Sequence, residues 1–131
     1  MPFDPRTIGM PVYDALKDLR HRPNQDNTRL KEQKSQAVEL YTYLATWGMM
    51  RLKAEEIVLE KQPGKKQVVV KYFECLEEIS GETGLASASG LEILKKMKTE
   101  QYLGLTGLGL AIAQEFSFWA NALYHDVKGE A

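Results

Sequence analysis

Few side chains in this chain could do covalent chemistry, and their spacing works against it. The one cysteine, Cys75, stands beside Leu76 on the apolar side of an expected helix. A thiol buried there stays protonated and inert. The two histidines, His21 and His125, lie far apart near segment ends, and neither sits at a metal-ligand spacing. Glu55, Glu56 and Glu60, and again Glu74, Glu77 and Glu78, supply carboxylates, but a di-iron bundle needs Glu-x-x-His pairs and none occurs. These acids are read as solvated faces. The run Gly104-Leu-Thr-Gly-Leu-Gly109 has the order G-x-x-G-x-G, with no strand-to-helix turn before it, so it is not a dinucleotide fingerprint. Gly81–Gly84 and Gly104–Gly107 match the G-x-x-G of some single-strand RNA-binding loops, which need a mixed sheet around them. The expectation is a protein without catalytic residues, metal or cofactor.

Basic clustering is the more informative signal. Lys61 to Lys71 holds four lysines and no acid, and Lys95 to Lys98 holds three more. Between them, residues 72 to 92 carry five acids and no lysine or arginine. Such segregation lets one face follow a phosphate backbone while another meets a protein. The candidate backbone contacts are Arg51, Lys53, Lys65, Lys66, Lys71, Lys95, Lys96 and Lys98. On the residues alone, a solvated surface with lysines placed to complement helix dipoles is the plainer reading.

The elements that must position these residues are helical. Thr99 to Tyr124 contains only two charged side chains, Glu100 and Glu115. Its apolar residues recur at helical spacing on most sides, which predicts a central, largely buried helix about 39 Å long from Glu100 to His125. Thr99 is the expected N-cap. Gly104, Gly107 and Gly109 each cost up to about 1 kcal/mol in a helix. The apolar side chains offset this at roughly 1.5–3 kcal/mol each when buried, and the glycines are read as positions of close helix approach.

Thr28 to Lys61 reads as one long helix, with Leu30, Ala37, Leu40, Tyr41, Leu44, Trp47, Gly48 and Leu52 on a buried stripe. Lys31, Glu32, Glu39, Arg51, Glu55 and Glu56 fall on its solvent side. Gln62-Pro-Gly64 stops it. A helix over 65–79, a turn at 80–84 and a short helix through Leu91, Leu94 and Met97 complete the set. Pro2, Pro5, Pro11 and Pro23 mark residues 1–28 as an arm, partly extended or ordered by a partner, with at most a short helix after Pro11. The sequence thus predicts an all-α fold: a compact bundle of about five helices, two of them long, over 29–126, with a frayed tail at 127–131.

Composition limits the alternatives. With 44% hydrophobic residues the chain can build a core, and a net charge of −1 gives no global attraction to nucleic acid or membrane. The uncharged stretch Tyr102–Ala113 is too short for the roughly 20 residues of a membrane span. The start Met-Pro-Phe-Asp-Pro does not resemble a secretory signal, so a reducing, cytoplasmic location is expected.

The pattern Glu100-Gln-Tyr102-Leu103-x-Leu105-Thr106, then Leu110, Ala113 and Trp119-Ala120-x-Ala122-Leu123, resembles the last helix of the small helical subunit of type III CRISPR RNA-guided effector complexes, of the Cmr type or a related one. Gly84-Leu85 and Gly90-Leu91 more loosely resemble that family's Gly-Leu helix start. Where family members often place basic residues after the tryptophan, this chain has Ala-Asn-Ala, and the N-terminal arm has no counterpart. The resemblance implies a non-catalytic subunit of an antiviral ribonucleoprotein. Its implied partners are the other subunits, further copies of itself, and the guide and target RNA. The competing expectation is a helical adaptor or oligomerisation module that binds no nucleic acid.

Overall fold

In the computed structural model, which describes residues 4–128, every regular element is helical. Seven α-helices follow in chain order: α1 (Arg6–Arg20), α2 (Asn27–Val38), α3 (Leu40–Trp47), α4 (Met49–Val58), α5 (Pro63–Ser80), α6 (Gly90–Lys96) and α7 (Thr99–Leu123). A 3-10 turn, Leu59–Lys61, joins α4 to α5. The all-α class stands, with more and shorter helices than the five expected.

The N-terminal segment is not an arm within the described residues. Ile8, Val12, Leu16 and Leu19 form one stripe of α1 and are buried, mainly against α7. Pro11 inside α1 costs about 3 kcal/mol. Four buried apolar side chains at roughly 1.5–3 kcal/mol each outweigh it. Residues 1–3 lie outside the described residues.

The expected long helix over Thr28–Lys61 is three helices. α2 starts earlier than expected, at the Asp26 cap, whose side chain accepts the Arg29 N–H at 2.8 Å. It ends at Glu39, and α3 ends at Gly48, whose φ of +88° favours glycine over any L side chain. The apolar stripe runs across both breaks, so periodicity alone concealed them. The breaks turn Trp47, Ile57 and Val58 outward, to 52%, 73% and 71% exposure.

α5 and α7 are the central helices, flanked by α1 and α2, with α6 packed on α4. The Tyr72 hydroxyl donates to the Gly109 carbonyl at 2.9 Å, and the Tyr72 ring meets Phe73 and Phe116 edge-on. A polar network ties distant segments together beside this core. Fully buried Gln33 donates to Gln25 at 2.6 Å and Gln67 at 3.0 Å, and accepts from the Tyr124 hydroxyl at 2.7 Å. Gln25 in turn donates to the carbonyls of Leu19 and Arg20 at the end of α1. Buried polar groups satisfied in this way fix the helices in one arrangement.

α7 departs from expectation in three respects. Lys98, not Thr99, holds the N-cap position, and no side chain caps the helix. One side of the helix is solvent-facing, with Leu103 63% and Phe118 60% exposed. Of its glycines only Gly109 is a close-packing position: a Cβ there would lie 2.5 Å from both Met49 Cε and the Tyr72 hydroxyl, whereas Gly104 and Gly107 face open space. The tail is not frayed at Val127, which is buried and whose carbonyl accepts from Lys34 Nζ at 2.8 Å. Residues 129–131 lie outside the described residues.

Candidate nucleic-acid interface

The basic run of the sequence becomes the entry to α5. Pro63 takes the first helical turn, where its missing N–H is no loss, and Gln62 at the cap position offers no side-chain bond. The free N–H of Gly64 donates instead to Glu32 Oε1 of α2 at 2.9 Å. Glu32, expected on the solvent side, is therefore buried for a physical reason. It supplies the carboxylate that an 18-residue helix needs at its positive end.

Around that end stand Lys61, Lys65 and Lys66. Lys61 is exposed, and Lys65 and Lys66 are half-buried. The first turn of α5 carries no acid of its own, and its last turn carries no base. The acids Glu74, Glu77 and Glu78 fall in its second half. α5 is thus charged in the same sense as its dipole, the arrangement that costs stability rather than adding it. Lys66 faces two grooves. One, about 230 Å³, joins it to Gln67, Lys71, Glu74 and Arg22, the last paired with Asp18 at 3.6 Å. The other, about 370 Å³, joins it to Lys53, Glu56, Glu60, Ser87 in the turn before α6, and Leu91 at its start.

The eight candidate residues do not form one site. Lys65 and Lys66 belong to the α5 entry. Lys71 is held by carboxylates, 3.3 Å from Asp18 and 3.6 Å from Glu74. Lys95, Lys96 and Lys98 are exposed at the far end of α6 from the groove. Arg51 is exposed and stacks 4.6 Å above the ring of Trp47. Lys53 is not a surface cation: it is 5% exposed, pairs with Glu56 at 2.5 Å and lies 4.9 Å from the centre of the Phe73 ring. Neither Lys53 Nζ nor Glu56 Oε2 makes an aligned hydrogen bond among the described residues, so charge and the ring face carry the contact.

Two features were missed at the sequence level. Arg22, left out as part of the expected arm, reaches the α5 entry because α1 folds back onto the bundle. Trp47, assigned to the buried stripe, is an exposed aromatic beside an arginine, the pairing on which unstacked bases settle. The opposite charge also gathers: Asp14, Asp18, Glu74 and Glu78 surround Lys71 and Cys75 in a cleft of about 450 Å³. Cys75 itself is buried, and burial with nearby Glu78 pushes its thiol up to about 12.

Among the described residues, no group of three or more His, Cys, Asp or Glu side chains is placed to hold a metal ion, and no helix is long and apolar enough to cross a membrane. His21 and His125 are exposed. No family model, curated protein or solved structure matches this chain. The residues of the α7 pattern are mostly structural: Leu105, Ala113 and Ala120 are buried, Trp119 packs edge-on to Tyr13, and the Tyr102 hydroxyl accepts the Met50 N–H at 3.1 Å.

Proposed function

We propose that this chain is a non-catalytic helical subunit of an RNA-containing assembly, of the type III effector class that the α7 pattern resembles. It contacts the phosphate backbone of guide and target RNA without reading base sequence, beside other subunits and further copies of itself. The observation that carries the reading is the entry to α5. Lys61, Lys65 and Lys66 gather at the first turn of α5 in excess of the one carboxylate, Glu32, that serves it, and Arg22 lines the same groove as Lys66, so the surplus positive charge is available to an incoming anion. Lys95, Lys96 and Lys98 offer a second, exposed contact, and Arg51 on Trp47 a third.

The test is binding to an unstructured RNA and to an RNA duplex, each titrated at several salt concentrations. Replacing Lys65 and Lys66 by alanine is expected to weaken binding and to lower the log–log salt slope by about 1.4–1.8, at ~0.7–0.9 per phosphate contact. An unchanged slope removes the α5 entry from the interface. The competing reading is a helical adaptor or oligomerisation module. It is favoured by the outward side of α7, where Leu103 and Phe118 are exposed beside the uncovered glycines Gly104 and Gly107.

A further inference from the structure

The outward side of α7 is unusual for a chain with 27% charged residues. Beyond the first turn, its exposed positions are Leu103, Gly104, Gly107, Gln114, Phe118, Asn121 and Ala122, and none of them is charged. Depletion of charge around exposed large apolar side chains is the compositional mark of a protein interface. The glycines make a second, independent point. A Cβ at Gly104 or Gly107 would meet nothing within 4 Å, so nothing inside the described fold asks for glycine there. Each nonetheless weakens the helix relative to alanine.

The third point is what fits the notch. Glu100, Leu103, Gly104 and Gly107 stand at i, i+3, i+4 and i+7, the four corners of a hole for a side chain from a facing helix. Phe118 projects from the same side, about three turns beyond Gly107. One helix therefore carries both a large knob and a floor of glycine. Two copies run antiparallel satisfy each other twice, with the axis near Ala111. Charge sets the direction. A parallel pair would bring the two Glu100 carboxylates together, whereas an antiparallel pair places each beside the amide and imidazole of Asn121 and His125 and opposes the two helix dipoles.

We propose that two copies of this chain pair through the outward side of α7, antiparallel about a two-fold axis near Ala111, with Phe118 of each seated on Gly104 and Gly107 of the other. The pairing rests on the oligomerisation reading and is independent of RNA binding. A single helix pair lies at or below the low end of stable interfaces, about 1,200 Å² in total, so a weak, reversible dimer is expected.

Sedimentation velocity of the full chain from about 5 to about 500 μM, wide enough to reach a weak dimer, tests this. F118E and G107L should each weaken dimerisation at least tenfold while helical circular dichroism is kept; G107L should not lower the Tm, because leucine is the better helix former. A111C should form a disulfide dimer on mild oxidation, with Cys75 silent because it is buried. Concentration-dependent dimers lost in both variants and cross-linked through A111C support the pairing. A wild type that stays monomeric at the top of that range overturns it. So does a dimer that survives F118E and G107L, or one that A111C fails to cross-link. RNA titration of F118E keeps the two proposals apart, since backbone binding through α5 is expected to be unaltered.

Discussion

Lys53 shows how one residue changes meaning once its surroundings are known. In the sequence it is a basic residue near others. In the fold it is a buried cation paired with Glu56 and laid on Phe73. Removing one partner leaves a desolvated charge, so Lys53→Ala is expected to cost about 3 kcal/mol in urea unfolding. The joint change Lys53→Met with Glu56→Gln should recover much of this, and RNA affinity should be unaffected by that pair. Cys75 gives a pH signature. Its thiol is raised from 9.0 to about 12 in the folded protein by burial, so the neutral form is the one folding favours. That contribution is fully present below the unfolded value and is lost as pH rises from about 9 towards 12. Thermal stability measured from about pH 8 to about pH 10.5 should therefore fall with pH. It should fall less steeply in Cys75→Ala, with the buried hydroxyls of Tyr72 and Tyr124 supplying the remainder.

At the scale of the element, α7 puts its glycines to opposite tests. Gly109→Ala drives a methyl group into Met49 and the Tyr72 hydroxyl, beside the Tyr72–Gly109 hydrogen bond, and is expected to destabilise by about 1–3 kcal/mol. Gly104→Ala meets nothing and should stabilise by up to about 1 kcal/mol. Chemical denaturation at micromolar protein, below the dimer range, reads both signs directly. The helix over 65–79 and the short helix after Gly90 were legible because each has a stripe and a stop signal. The break of the 28–61 segment was not. Gly48 sits within a continuous stripe, and only the packing of α3 on α7 and α4 on α5 shows that the chain must turn there. α1 was legible only in its second half, as a short helix after Pro11; the prolines concealed that the stripe begins at Ile8 and Val12 and packs on the bundle.

For the whole molecule, the separation of charge along the chain survives folding as a separation in space. The basic entry to α5 and the acidic cleft around Asp14, Asp18, Glu74 and Glu78 lie along one helix, joined by Lys71. This bipolar arrangement carries the proposal of an anion contact at one end, and the outward side of α7, uncharged beyond Glu100, carries the proposal of a self-contact elsewhere. The salt slope and the sedimentation experiment report on the two surfaces separately.

The sequence by itself determined what local chemistry determines. Apolar residues at 3.6 spacing made the chain helical, one cysteine excluded an intramolecular disulfide, and absent ligand spacings argued against a metal site. Tertiary structure decided which of the residues that looked alike are alike. Lys53 and Lys65 differ because α6 covers one and not the other; Gly109 and Gly107 differ because α3, α4 and α5 close over one side of α7 only. Gln33 is one polar residue among many in α2, and its burial makes sense only beside Gln25, Gln67 and Tyr124 from other segments. Burial is a property of partners distant in the chain, and a residue's own type and spacing do not name those partners.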